Sequence, residues 1–310
     1  NLMFGPLKIR IILHQSIVFH RYYTLLSISL DVIYKKKEVQ VLLDGQRRKL
    51  SKIALIPTMG NFHDGHLSLI ELARDYADYV VVSIFVNPTQ FNDEKDFENY
   101  PRTLESDIEK LTKTGVNLLF LPDLCSLYPN GTDDAIKVII PERANDLCGK
   151  VRPGHFEGVL SVVLRLFNII KPDLSVFGQK DFQQKLLIEQ MVMDLSLGIK
   201  IIGAPIIRER DGLAMSSRNQ HLSFAAKLTA IKLHKTLLEV SYLINPKKGE
   251  FTSILKEAED KLIGYGFDVD YISIRSSIDL SIPNKDSKKL VILASVVIEG
   301  VRLIDNILIG

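Results

Sequence analysis

Short apolar segments alternate with amphipathic segments along the first two thirds of the chain. The apolar segments are rich in β-branched residues, which is typical of buried strands, and the segments between them carry apolar residues at helical spacing. Strands are predicted at 53–57, 79–87, 117–122, 174–178 and 199–207. Helices are predicted at 66–77, 104–115, 158–171 and 182–196. This alternation predicts an α/β fold with a parallel sheet covered by helices on both faces.

The pattern changes after about Asn219. Two helical segments, near 224–244 and 249–264, precede three apolar strands with short links, at 267–275, 289–298 and 301–309. Helices followed by clustered strands indicate a separate small α+β domain. We therefore expect one domain over residues 35–218 and a small C-terminal domain over residues 219–310.

Residues 1–34 do not follow either pattern. The first 30 residues contain Lys8, Arg10 and Arg21 but no acidic residue, and the chain begins with Asn1 rather than Met. A basic, acid-free start is typical of a transit peptide, and it also fits an upstream extension that the fold does not need. We favour an atypical, dispensable extension, and we interpret the run Lys35–Lys37 as a solvated face.

Charge, cysteine content and hydropathy limit the compartment and the partners that we expect for this protein. The 310 residues include 39 Lys and Arg against 37 Asp and Glu, a net charge of +2, which does not favour a nucleic-acid coat. Cys125 and Cys148 have no metal-ligand spacing and indicate a reducing compartment. No apolar run of about 18 residues occurs. We expect a cytoplasmic protein with no nucleic-acid or membrane partner.

Candidate chemistry begins at "PTMGNFHDGH", where the strand at 53–57 ends and a helix starts. Gly60 and Gly65 permit a tight turn and a close ligand approach. His63 and His66 add imidazole donors at a helix start, where free N–H groups attract anions. The segment fits a phosphate site; the alternatives are a polar capping turn and, with further ligands, a zinc site.

Two later segments carry polar groups at strand or turn ends. In "VFGQKDFQQ", Gly178 permits close approach, Lys180 supplies a cation, and Gln183 and Gln184 supply amides; a surface salt bridge is the alternative. In "RERDGLAMSSRNQHLS", two hydroxyls and Arg218 follow a glycine turn, which fits a polyphosphate clamp or ordinary helix capping.

Two further segments suit an organic substrate. "FVNPTQF" places the neutral amides of Asn87 and Gln90 just past a strand. "RPGHFEG", residues 152–158, is either a stiff Pro-Gly turn or a functional loop.

Together these segments resemble the pantothenate synthetase (pantoate–β-alanine ligase) family. "PTMGNFHDGH", "SIFVNPTQF", "YPRTLESD", "RPGHFEGV", "KPDLSVFGQKDFQQ", "RERDGLAMSSRN" and "RLIDNILI" occur in the family's order and with suitable spacing, from about residue 35 onward. The resemblance implies a Rossmann-like fold with a His-x-x-His signature and a Met-Ser loop, and a homodimer.

The resemblance also implies roles for individual residues. His66 takes the position of the proton donor, and His63 and Lys180 join it as catalytic groups. Gln90, Gln184 and Asn87 are the substrate-binding candidates. ATP-binding positions fall on Met59, Gly60, His63, Gly65, His66, Gly178, Gln179, Lys180, Asp181, Ile207, Met215, Ser216, Ser217 and Arg218. No protein-built metal site is expected, since Mg²⁺ would bind to the ATP phosphates, with Asp107 a weak candidate for helping.

The implied reaction activates pantoate as pantoyl adenylate, with release of pyrophosphate, before β-alanine displaces AMP. ATP is then a co-substrate, and the partners are small molecules and a second copy of the chain. Two alternatives stay open. One is another nucleotidyltransferase of the same superfamily, and the other is a non-catalytic ATP-binding module.

Overall fold

The fold contains one parallel sheet and one antiparallel sheet. The computed structural model describes residues 10–11, 30–244 and 251–310. Within these residues the parallel sheet has seven strands in the order β1-β2-β5-β4-β3-β6-β7. The strands are β1 (Arg10–Ile11), β2 (Asp31–Ile33), β3 (Ile53–Thr58), β4 (Tyr79–Ile84), β5 (Leu118–Phe120), β6 (Leu174–Gly178) and β7 (Lys200–Ala204).

Helices connect these strands. They are α1 (Lys36–Arg48), α2 (Asp64–Arg74), α3 (Glu94–Glu98), α4 (Leu104–Thr112), α5 (Leu124–Leu127), α6 (Cys148–Val151), α7 (His155–Ile170) and α8 (Phe182–Asp194). Short 3₁₀ turns lie at Pro88–Gln90, Glu142–Asn145, Gln179–Asp181 and Ser217–His221. The predicted fold class is confirmed.

Both faces of the parallel sheet are buried. On β3, Ile53 and Leu55 pack into a core with α1, α7 and α8, whereas Ala54 and Ile56 pack into a second core with α2 and α4. Alternate side chains point to opposite faces of a strand, so a strand buried on both faces is apolar throughout. This is why the strand segments are continuous apolar runs in the sequence.

The strand order reverses beside β3. From β3 the chain moves to β4 and β5 on one side, and β6 and β7 lie on the other side of β3. In open parallel sheets, ligands bind at the carboxyl ends of the strands beside such a reversal. The loops that follow β3 and β6 are therefore neighbours at the expected binding edge.

The second sheet contains the described C-terminal strands β8 (Asp268–Ser276), β9 (Leu290–Ile298) and β10 (Val301–Ile309), paired antiparallel in the order β10-β9-β8. Helices α9 (Phe224–Leu243) and α10 (Thr252–Gly264) cover one face and share an apolar core with it. Among the described residues, no helix is both long enough and apolar enough to cross a bilayer.

The N-terminal prediction needs correction where the structure describes it. Residues 1–9 and 12–29 of the expected extension lie outside the described residues. The described residues of this segment include β1 and β2. β1 pairs with β2, and β2 pairs with β5, so the parallel sheet extends into residues 1–34. The run Lys35–Lys37 is exposed, as predicted, and leads into α1, whose Val39 and Leu43 are buried. Strands of two or three residues are too short to give a period.

Candidate active site

The loop after β3 is held in place by α4. Asp107 is 1 % exposed, and its two carboxylate oxygens accept hydrogen bonds from the backbone N–H groups of Asn61 and Phe62, both at 2.8 Å. The Lys110 ammonium donates to the Phe62 carbonyl at 2.6 Å. Gly60 has φ +81°, and a Cβ there would lie 3.0 Å from an Asp107 oxygen. Asp107 therefore anchors the loop and is not free to bind Mg²⁺, which corrects its suggested role.

His63 and His66 stand together at the start of α2. His63 is the N-cap residue, His66 follows one turn later, and the ring centroids are 4.1 Å apart. The His63 backbone N–H donates a long hydrogen bond, 3.4 Å, to Nδ1 of His66. A Cβ on Gly65 would lie 2.9 Å from the His63 ring, so a larger residue there would displace that ring.

Both imidazoles are neutral at pH 7. Burial, aided by the charge of Lys180, lowers the pKa of His63 to about 4. Burial, followed by the effects of His63 and Lys180, lowers the pKa of His66 to about 3. Because Nδ1 of His66 accepts the backbone hydrogen bond, the proton of the neutral ring is on Nε2. His66 thus offers an N–H donor rather than an imidazolium.

The second candidate nucleotide segment, residues 178–181, follows β6 at the same edge of the sheet; the first is the loop 59–66, and the third is residues 215–218. Gly178 ends the strand, and Lys180 lies in the 3₁₀ turn Gln179–Asp181. Among the described residues, no ion-pair partner is found for Lys180, and its ammonium is available to an anion. Unlike Lys180, Gln183 is buried. Its side-chain amide binds backbone groups of Ala144, Asp146 and Cys148, so Gln183 supports the loop 144–148.

The third nucleotide segment is tied to the first. The Met215 N–H donates to the Ile207 carbonyl at 3.0 Å, and the Ser217 hydroxyl donates to the Asn61 carbonyl at 3.3 Å. The Ser216 hydroxyl accepts from the Arg218 N–H at 3.3 Å. The Arg218 guanidinium pairs with Asp96 of α3 at 2.9 Å. The segment thus closes over the histidine loop.

Two adjoining cavities open at this edge, of about 230 Å³ and about 480 Å³. The smaller one is lined by the predicted residues Met59, His63, Gly65, His66, Gln90, Gly178, Lys180, Asp181, Gln184, Ile207, Met215, Ser216, Ser217 and Arg218. The larger one shares Lys180, Asp181, Gln184, Ser216 and Arg218 with it and extends to β10. Gly60, Asn87 and Gln179 line neither cavity.

Gln90 and Asn87 differ in how free their side-chain amides are to bind a ligand. Gln90 points its amide nitrogen at the Met59 sulfur, a weak acceptor, 3.2 Å away. Asn87 is fully buried: its nitrogen donates to Gln90 and to the Gly158 carbonyl, and its oxygen accepts from Thr89 and Tyr128. Asn87 therefore holds Gln90 rather than contacting a substrate, which corrects the sequence-based expectation.

Arg152 and His155 are site residues that the sequence analysis did not single out, although "RPGHFEG" contains them. Nδ1 of His155 contacts the Gln90 carbonyl at 2.8 Å, and Nε2 lies 3.0 Å from the Arg152 guanidinium. Burial lowers the pKa of His155 to about 3 and that of Arg152 to about 10, and in Arg152 the charge of Arg218 adds to the effect. Both line the larger cavity.

Comparison with known proteins identifies the family. Residues 31–308 match the family model described as pantoate-beta-alanine ligase. A pantothenate synthetase of Methylococcus capsulatus is 45% identical over 281 residues, 91% of this chain and 98% of the relative, and one of Wigglesworthia glossinidia brevipalpis is also 45% identical, over 89% of this chain and 98% of the relative.

Solved structures agree with this match. The pantothenate synthetase of Thermus thermophilus superposes with a TM-score of 0.81 at 36% identity, covering 89% of this chain and 98% of that one. A pantoate-beta-alanine ligase of Francisella tularensis, complexed with beta-gamma ATP and beta-alanine, gives a TM-score of 0.76 at 37% identity, covering 89% and 97%. This chain therefore belongs to the pantoate–β-alanine ligase family.

Proposed function

We propose that the chain condenses pantoate with β-alanine, using ATP and releasing AMP and pyrophosphate. The observation that carries the proposal is the meeting of three nucleotide segments with Gln90 and Gln184 around one cavity. The family match supports the reaction, and the structure of the Francisella tularensis ligase in complex with beta-gamma ATP and beta-alanine supports two of the three substrates.

In the first half-reaction, a pantoate carboxylate oxygen attacks the α-phosphorus of ATP, and the bond to pyrophosphate breaks. Negative charge increases on the phosphate oxygens as pyrophosphate leaves. The Nε2–H of His66, the Lys180 ammonium and the free N–H groups of the first turn of α2 can donate to these oxygens. Arg218 adds a guanidinium that presently pairs with Asp96.

In the second half-reaction, the β-alanine amine attacks the acyl carbon, and AMP leaves. Gln90 and Gln184 would hold the pantoyl group by its hydroxyls and carbonyl, so that the acyl carbon stays beside the incoming amine. No covalent enzyme intermediate is needed. Both cysteines are outside the smaller cavity, where this chemistry is placed.

Mg²⁺ is proposed as a companion of ATP. Among the described residues, no three His, Cys, Asp or Glu side chains meet as a ligand set, so the site fits an ion that is carried mainly by phosphate oxygens. We propose that Asp181, which lines both cavities, helps to hold the ion. When bound, the ion would offset charge on the departing pyrophosphate.

The domain division and the assembly state are part of the same proposal. The parallel-sheet domain, which includes β2 and ends at residue 218, would bind ATP and pantoate. Residues 219–310 would form the small domain beside it, and two copies of the chain would form a homodimer. Sedimentation of the purified protein would test the dimer.

Pantoate-dependent exchange of labelled pyrophosphate into ATP tests the reaction. We expect exchange with ATP, Mg²⁺ and pantoate alone, and equal amounts of pantothenate, AMP and pyrophosphate once β-alanine is added. Release of ADP and phosphate would contradict an adenylate intermediate. Exchange with a different acid would indicate another nucleotidyltransferase, and ATP binding without exchange would indicate a non-catalytic module.

A further inference from the structure

Strand β10 reaches two nucleotide segments with two adjacent side chains. Side chains alternate across a strand, so neighbours on β10 face opposite ways. Leu303 and Ile307 pack into the core with α9 and α10, whereas Arg302 and Ile304 face the larger cavity. Asp305 lies on the helix side in this alternation and also borders the larger cavity, whereas Asn306 lies on the opposite side of the strand.

Asp305 binds the start of the third nucleotide segment. Its side chain is 2 % exposed, and its two oxygens accept from both terminal nitrogens of Arg208 at 2.7 and 2.8 Å. Arg208 also donates to the Gly212 carbonyl at 3.1 Å, which closes the turn that leads into Met215–Arg218. This forked ion pair fixes both the position and the orientation of that turn.

Asn306 binds the second nucleotide segment from the other face. It is 4 % exposed, and its amide nitrogen donates to the carbonyls of Gln179 and Lys180 at 2.8 and 3.0 Å. These two bonds hold the backbone on which the Lys180 ammonium is carried. The two adjacent polar residues of the segment "RLIDNILI" thus have a physical reason.

An apolar pair would satisfy the packing of this strand. Asp305 lies between Leu303 and Ile307 on a face that is otherwise apolar, where a buried carboxylate without Arg208 would be costly. The forked partner of Asp305 and both partners of the Asn306 amide belong to loops of the cavity, although Asp305 also accepts from the Asn306 backbone N–H at 2.7 Å and lies 3.5 Å from Nδ1 of His234 in α9. The chemistry of the two side chains therefore serves the position of the loops more than the stability of the strand.

We propose that Asp305 and Asn306 are positioning residues for ATP. They fix the distance between Lys180 and the Ser216–Arg218 turn, so that these groups meet one triphosphate together. The inference rests on the proposed function, because it assigns ATP to this cavity. Neither residue is proposed to touch the reacting atoms.

Two isosteric variants test the proposal, with a matched control for stability. Asp305→Asn removes the charge that holds Arg208, and Asn306→Asp removes the N–H donor. Leu237→Ala is the control, since Leu237 is fully buried in the same apolar core and lines neither cavity. Each variant is assayed for KM of ATP, KM of pantoate, kcat and Tm.

We expect the KM of ATP to rise about tenfold or more in Asp305→Asn and Asn306→Asp, while the KM of pantoate changes less than about threefold. Leu237→Ala should lower Tm and leave the ratio of the two KM values unchanged. Equal rises of both KM values, or an unchanged KM for ATP, would overturn the proposal. Asn306→Asp decides the matter alone if Asp305→Asn does not fold.

Calorimetric ATP binding without pantoate separates this inference from the proposed function. Weaker ATP binding in both variants supports positioning even if the wild-type chain makes no pantothenate. Wild-type affinity in both variants overturns positioning even if the chain makes pantothenate.

Discussion

The side chains of the candidate site fall into groups that are free to bind a ligand and groups that are already fully hydrogen-bonded. His66 belongs to the first group, because its Nδ1 is occupied by the backbone and its Nε2–H remains a donor. Asn87 and Asp107 belong to the second group. Single substitutions should therefore have different effects in the two groups.

Replacing His66 should slow the first half-reaction. His66→Ala removes a preorganised donor to the phosphates, an effect of about 10²–10⁴ in rate. His66→Gln, which keeps an amide N–H near the position of Nε2, should recover part of that loss. Single-turnover formation of pantoyl adenylate measures both.

The second half-reaction is the control for His66. When ready-made pantoyl adenylate is supplied, His66→Ala should join it to β-alanine with a much smaller loss, because no pyrophosphate leaves in that step. An equal loss in both halves would show that His66 only supports the turn.

Gln184 and Asn87 should separate binding from stability. Gln184→Ala should weaken pantoate use, with a loss of about 0.5–1.5 kcal/mol for each lost hydrogen bond and little change in Tm. Asn87→Ala breaks buried bonds to four partners and should lower Tm as well as activity. Steady-state kinetics and thermal unfolding of the two variants measure the contrast, and similar Tm losses would contradict it.

The residues predicted from the sequence are those whose surroundings are local. His63, His66 and Lys180 follow a strand directly, so their place at the binding edge is visible in the pattern. Asn87 and Gln183 look identical in the sequence to ligand-binding amides. Their partners lie up to 71 residues away, and no local pattern contains that information.

At the scale of elements, α7 packs closely on the turn that carries Gln90. A Cβ on Gly158 would lie 2.2 Å from the Thr89 carbonyl oxygen and 2.7 Å from the Gln90 nitrogen. Only a glycine permits this approach, because the atoms it meets belong to the backbone. The position of Gln90 thus depends on the spacing between two elements.

Gly158→Ala should force α7 and the 88–90 turn apart. We expect a loss of about 1–3 kcal/mol in the free energy of unfolding, as for other overpacked sites, together with a higher KM for pantoate. Gly45→Ala is the matched control, since Gly45 lies within α1 with nothing within 4 Å of the new Cβ. It should raise stability by about 0.5–1 kcal/mol. Urea unfolding of both variants measures these changes, and a neutral Gly158→Ala would contradict the close packing.

Elements with a clear apolar or helical period were predictable, whereas β2 and α1 were not. The strand at 174–178 and the helix that begins at Phe182 follow from continuous apolar and helical periods. β2 has three residues, and α1 begins in a lysine run with only Val39 and Leu43 buried. Their place in the fold is decided by contacts with distant parts of the chain.

At the scale of the whole molecule, three partly or fully buried histidines make the free energy of unfolding depend on pH. The pKa values of His63, His66 and His155 are lowered to about 4, 3 and 3, against 6.5 in the unfolded chain. Below pH 6.5 the unfolded chain therefore binds protons that the folded chain does not. The stabilisation is fully present above pH 6.5 and is lost as the pH falls towards 4.

Unfolding by urea between pH 7.5 and 5 should show this loss. Each histidine contributes at most about 1.4 kcal/mol for each pH unit below 6.5. His155→Asn keeps a donor near the position of Nδ1 but does not titrate, so its stability should fall less steeply with pH than that of the wild type. A flat profile for the wild type, or an identical slope in the variant, would contradict the origin in histidine.

The hydrogen bonds from β10 to the two loops also have a consequence for folding during translation. A ribosome makes the chain from the N-terminus, so the backbone around Lys180 emerges well before Asn306, and Arg208 emerges 97 residues before Asp305. During translation the parallel sheet can form while both ATP loops still lack these anchors. The chain should therefore become able to bind ATP only late in translation, after the sheet that carries the histidines has already folded.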